Sequence, residues 1–152
     1  MTRVVLVLGG ILATLTVLQP SAANASEASC EPGTKILAGR YVRVFCGPTR
    51  ASLVVAGRTF SFRSGECLQS KAFTNVNIGT FTVGNVPVAR YLRVVGPRRD
   101  GRALRGTVSW QLPGLLDGIQ GARLTLAAKG TRGTFSGRTF SGRSAKGAFT
   151  CT

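Results

Sequence analysis

Histidine is missing from all 152 residues. Its absence removes Ser-His-Asp and Cys-His activation of a nucleophile, histidine general-base catalysis and most zinc sites. Acids are almost as scarce: five Asp and Glu stand against twenty Lys and Arg. Glu27 and Glu31 lie in a polar lead-in, which leaves Glu66, Asp100 and Asp117 in the body of the chain. A glycosidase needs two carboxylates facing one another across the scissile bond. Asp100 and Asp117 adjoin glycines and read as turn formers, and Glu66 as an exposed charge beside Cys67. No Cys-x-x-Cys pair supplies a redox couple or zinc-ligand spacing. None of the 20 glycines builds a phosphate loop followed by Lys and Ser or Thr. These absences predict a protein that is not an enzyme and carries no cofactor and no metal.

A helical apolar period is also missing after residue 25, and the one long apolar run precedes it. Arg3 gives a short positive start, Val4 to Leu18 is apolar apart from Gly and Thr, Pro20 breaks the run, and Ala23-Asn24-Ala25 is a small-x-small cleavage site. A membrane anchor needs about 20 apolar residues, and no basic stop-transfer flank follows. Residues 1–25 therefore read as a cleaved signal peptide, with cleavage after Ala23 as the other option. Residues 26–152 read as one secreted domain without a transmembrane anchor. Lipidation at Cys30 is disfavoured, because Glu27 stands where a lipobox requires an apolar residue. The expected location is extracellular or in the cell envelope of a bacterium.

What the chain does have is cysteine, arginine and alternation. Cys30, Cys46, Cys67 and Cys151 all lie in the exported part, and an even count there favours two disulfides. Of three possible pairings, Cys30–Cys46 with Cys67–Cys151 is preferred. The first staples the lead-in to the first strand, and the second clamps the closing stretch against Phe60–Phe62. Loss of Arg3 with the signal takes the net charge from +15 to +14. Two basic clusters stand out. One is Arg90, Arg93, Arg98, Arg99, Arg102 and Arg105; the other is Lys129, Arg132, Arg138, Arg143 and Lys146. They predict an interaction module whose Arg-rich surface binds an anionic envelope polymer, an acidic lipid surface, an acidic protein or nucleic acid. The competing reading is a solvated surface whose cations protect strand edges from pairing. Phe135, Phe140 and Phe149 between the cations resemble a base-stacking platform, but read better as inward core residues.

Alternation places the strands. Arg40–Cys46, Ala51–Ala56, Thr59–Phe62, Phe73–Ile78, Val86–Val95, Leu104–Trp110, Ala122–Ala128 and two pieces near Phe135–Phe140 and Gly147–Cys151 are strand candidates. Ser64–Glu66, Gly96–Gly101 and the apolar stretch Leu112–Gly118 separate them as turns or loops. Strand-sized pieces with turn residues between predict an all-β antiparallel sandwich or barrel. A pocket between the sheets, near Trp110 and Leu112–Leu116, would make the protein a small-molecule carrier, the alternative function. The repeated Gly-Arg-Thr-Phe-Ser at 57–61 and 137–141 reads as shared β-edge chemistry and not as duplication.

Val55–Cys67, Phe73–Thr80, Gly133–Gly137 and Gly147–Cys151 contain a G-x-x-F-x-F … G-x-C hairpin and a closing G-x-F-x-C. In these segments, about half the exported chain, the sequence resembles small exported proteins and lipoprotein antigens of actinobacteria. The resemblance implies a two-sheet, Ig-like or related β-sandwich, a Cys67–Cys151 bridge, an envelope or extracellular location and no enzymatic activity. The chain departs from that group in lacking a lipobox and in adding the Cys30/Cys46 pair.

Overall fold

The computed structural model of the chain describes residues 30–98 and 103–151. The proposed signal peptide, Arg99, Asp100 and Arg102 lie outside them. The described residues are all-β and antiparallel: β1 Gly33–Leu37, β2 Arg40–Val44, β3 Arg50–Val55, β4 Arg58–Arg63, β5 Gly65–Gln69, β6 Phe73–Thr82, β7 Tyr91–Pro97, β8 Ala103–Leu112, β9 Leu115–Ala127, β10 Arg132–Arg138 and β11 Ser144–Thr150. Both disulfides have the preferred pairing, Cys30–Cys46 and Cys67–Cys151, with Cα atoms 5.7 and 5.9 Å apart.

The strands form one 11-stranded sheet in the order β1-β2-β6-β7-β8-β9-β10-β11-β3-β4, with β5 also on β6. A single residue, Ser64, separates β4 from β5. The first half of this bent strand pairs with β3 and the second half with β6. The sheet thereby returns to its own middle and curls into a barrel. A two-sheet sandwich was expected; the strands are instead joined in one 11-stranded sheet. Alternating side chains report which face is buried, but they do not report whether the edges meet. The deciding residue is Ser64, whose φ of 62° bends the strand without reversing it, so Ser64–Glu66 is a corner and not a terminating turn.

The interior is filled. Leu53, Phe62, Ile78, Leu92, Val108, Trp110, Leu124, Leu126, Phe135 and Phe149 belong to one buried cluster, and Trp110 is fully buried. Large side chains are accommodated by glycine on the neighbouring strand. Phe135 pairs in register with Gly147, and Phe149 with Gly133. A Cβ at Gly147 would overlap the Phe135 ring and the Ser52 carbonyl, and one at Gly133 would overlap the Phe149 ring. The glycine punctuation of the closing stretch is thus a packing requirement. Trp110 and Leu112, beside which a carrier pocket was sought, belong to this buried cluster, and Leu116 is exposed.

Several sequence-based boundaries move. Leu112–Gly118 is not a loop: Pro113-Gly114 makes a tight turn, and β9 begins at Leu115. The strand expected from Val86 starts only at Tyr91, and β1 arises within the lead-in. Phe140 is 67% exposed and is not a core residue. It follows β10, and its ring covers the bare backbone of Gly118 from outside, while its N–H donates to the Gly118 carbonyl at 2.9 Å. Outside the barrel, the β1–β2 hairpin continues along the β6 edge beyond β5, pairing at Val42–Val44 with Thr80–Thr82.

Candidate anion-binding face

On the outside of β8–β9–β10–β11–β3–β4 the register lines up residues from six strands in transverse rows. One row runs Arg105, Arg123, Ser136, Lys146, Val54, Thr59. The next runs Ala103, Thr125, Thr134, Ala148, Ser52, Ser61. A third runs Arg132, Thr150, Arg50, Arg63. A lane of small and hydroxyl side chains therefore lies between two rows that each carry three cations. The two outer rows are four residues apart along the strands, or about 13 Å at strand rise. The lane contains a shallow hollow of about 420 Å³, lined by Ser52, Thr125, Thr134 and Ala148 with Arg123 and Lys146 at its side.

All six cations are exposed. Their outward direction follows from alternation, since Leu53, Phe62, Leu124, Phe135 and Phe149 on the same strands point inward. Among the described residues the ion pairs are Lys35–Glu31 and Arg143–Asp117, and neither involves this face. Arg105 donates to the Gly121 carbonyl at 2.8 Å, a contact that leaves its charge uncompensated. No carboxylate from the described residues opposes a bound anion there.

No family model matches the chain, and no curated protein matches it. Among solved structures, a redesigned β-barrel matches with a TM-score of 0.41 and 19% identity, over 71% of this chain and 91% of that one.

Of the basic residues selected from the sequence, Arg105, Arg132 and Lys146 meet on this face. The others do not. Arg90 precedes β7, and its carbonyl accepts from the Thr80 N–H at 2.7 Å. Arg93 points outward from β7 on the far side of the barrel, bound to Asn75 at 3.3 Å. Arg98 is tied to the Ser70 carbonyl at 3.1 Å. Arg138 donates to the Gly142 carbonyl at 3.1 Å. Arg143 lies 3.6 Å from Asp117. Sequence reasoning missed Arg50, Arg63 and Arg123. Arg50, Ser52 and Val54 alternate with the inward Ala51, Leu53 and Val55, so the outward placement of Arg50 was readable. Its position in one row with Arg132, across Thr150, was not, because that depends on β3 pairing with β11.

Asp117 is not a turn former. It is buried within β9, opposite Trp110, and it organises the turn after β10. Its carboxylate accepts from the Gly118 N–H at 2.8 Å and the Ser141 hydroxyl at 2.6 Å. Ser141 also lies 2.8 Å from the Thr139 hydroxyl and accepts from Arg143 Nε at 3.1 Å. Burial pushes the Asp117 carboxyl up, but the hydrogen bonds from Ser141, the Gly118 backbone, Thr139 and the Ser141 backbone outweigh it and hold the group below its ordinary value. The carboxylate is ionised and fully engaged, which suits a structural role.

Proposed function

We propose that the protein is a non-catalytic, exported interaction module that binds an extended polyanion across the β8–β9–β10–β11–β3–β4 face. The observation that carries this reading is the arrangement of Arg105, Arg123 and Lys146 opposite Arg132, Arg50 and Arg63, with only small side chains between them. Guanidinium groups suit such a partner because they hold phosphate, sulfate or carboxylate through two parallel hydrogen bonds. Two rows favour a chain with repeating charges, which releases counterions from both rows, over a single small anion. An anionic envelope polymer fits best, with acidic lipid, acidic protein and nucleic acid as other bearers of the same charge pattern. The setting we propose is the envelope or surroundings of a bacterium, in the manner of the actinobacterial exported proteins that the sequence resembles. Two closed disulfides form in an oxidising compartment, which supports that setting.

Heparin chromatography tests the proposal. The wild-type protein should be retained, and its affinity should fall steeply with salt, with a log–log slope on the order of 5 if most of the six cations engage. Arg50→Gln, Arg132→Gln and Lys146→Gln combined should elute at clearly lower salt. Arg40→Gln, Lys71→Gln and Arg90→Gln combined, which removes equal charge elsewhere, should elute near wild type. Equal shifts for the two triples would reduce the interaction to net charge and sink the assignment of a face.

A further inference from the structure

The opposite outer surface, over β5–β8, carries a transverse row in which every residue is polar: Glu66, Asn77, Arg93 and Ser109. Outward-facing residues of a barrel are ordinarily solvated, yet Asn77 and its neighbour Tyr91 are only 6% and 5% exposed. Phe45, just beyond β2, stacks on the Tyr91 ring with centroids 5.5 Å apart, and Phe81 of β6 meets it edge-on at 5.1 Å. The Tyr91 hydroxyl donates to Asn77 Oδ1 at 2.7 Å, and the Asn77 amide donates to Glu66 at 3.4 Å. These bonds fix the floor of a hollow of about 400 Å³.

Two guanidiniums overlook that floor. Arg93 is oriented through Nε by Asn75, and Arg43 reaches in from β2 over the Phe45 ring at 5.2 Å. Among the described residues neither forms an ion pair, even though Glu66 lines the same hollow. The site therefore offers two cations, a carboxylate, side-chain amides and hydroxyls, with apolar carbon from Leu68 and Phe81 at its margin. A polymer would find no second row of charge here, and a purely apolar ligand would leave the polar floor unpaired.

We infer that this groove binds a single acidic sugar, a monosaccharide-sized ring bearing one carboxylate or phosphate. The acid group lies between Arg43 and Arg93, Glu66 accepts hydrogen bonds from ring hydroxyls, and Asn75 and Ser109 supply further donors and acceptors. Alternating donors and acceptors match vicinal hydroxyls, and Leu68 with Phe81 meets the apolar face of the ring. This site shares no residue with the polyanion face, so either assignment can fail alone.

Calorimetric titration of the full chain with glucuronate, glucose 6-phosphate and glucose tests the inference. At least one acidic sugar should give saturable binding at millimolar ligand, with glucose about tenfold weaker or worse. Binding by glucuronate alone or by glucose 6-phosphate alone identifies the acid group as carboxylate or phosphate. Arg43→Gln and Arg93→Gln, both on exposed side chains, should each weaken binding about tenfold without changing Tm. The Arg50, Arg132 and Lys146 triple variant should bind as wild type. No saturable binding, glucose binding as tightly as the acids, binding unchanged in both arginine variants, or loss of binding in the triple variant would each overturn the inference.

Discussion

Gly147 shows how tightly single residues are constrained in this barrel. It lies in register with Phe135 on one side and Leu53 on the other, and an added methyl has only the Phe135 ring and backbone to meet. Gly147→Ala should therefore lower stability by about 1–3 kcal/mol, the cost of forcing extra volume into a packed core. The urea midpoint should fall with the m-value unchanged. Tyr91 gives a prediction of a different kind. Burial pushes its hydroxyl up to about 12, against the opposing charges of Arg93 and Arg43 and with a small contribution from Glu66. The native state thus keeps a proton that the unfolded chain loses near pH 10. The associated stability is complete below about pH 10 and disappears as pH rises through about 12, to a total on the order of 2 kcal/mol. Urea unfolding between pH 9 and pH 11.5 should show this decline in the wild type and a flatter profile in Tyr91→Phe. Phe135 and Phe149 were legible as core from alternation. Phe140 was not, because it follows the end of β10, where period-two reasoning no longer applies.

At the scale of elements, alternation located β2, β3, β4, β6, β8, β10 and β11 to within a few residues, since each has one buried and one exposed face. Turn signals were less informative. Pro113-Gly114 reverses the chain in the middle of an apolar stretch that resembled a loop, while Ser64-Gly65 bends a strand that continues. The two disulfides serve different elements, and their removal should separate them. Cys67–Cys151 ties β5 to the residue after β11, across the seam where the sheet returns on itself. Replacing both with Ser should cost about 4.5 kcal/mol in a chain-entropy account, read as a lower global unfolding midpoint. Cys30–Cys46 closes a loop worth about 3 kcal/mol that joins the two ends of the β1–β2 hairpin, itself paired to β6 through β2. Its Ser/Ser variant should leave the barrel unfolding transition close to wild type. Hydrogen exchange should accelerate in Tyr41–Val44 and at Val83, whose N–H is bonded to the Tyr41 carbonyl. Equal exchange in the two proteins would count against this division of labour.

For the whole molecule, composition gave the sign of the charge but not its distribution. Arg50 and Arg63 come from one hairpin, Arg105 and Arg123 from another, and Arg132 and Lys146 from a third. They share a face only because β11 pairs with β3. The sugar-sized groove was equally hidden, since it combines β2 with β5–β8. The pairing of β3 with β11 also sets an order of events. Arg50 waits for Thr150, and Val55 for Ala145, so the core strand β3 has an unsatisfied edge until β11 has been synthesised. Partners so distant in sequence make closure slow relative to hairpin formation. During that interval the chain is a set of neighbouring hairpins with an open margin, along which Arg50 of β3 and Lys146 of β11 are charges of the kind that disfavours pairing with a wrong neighbour.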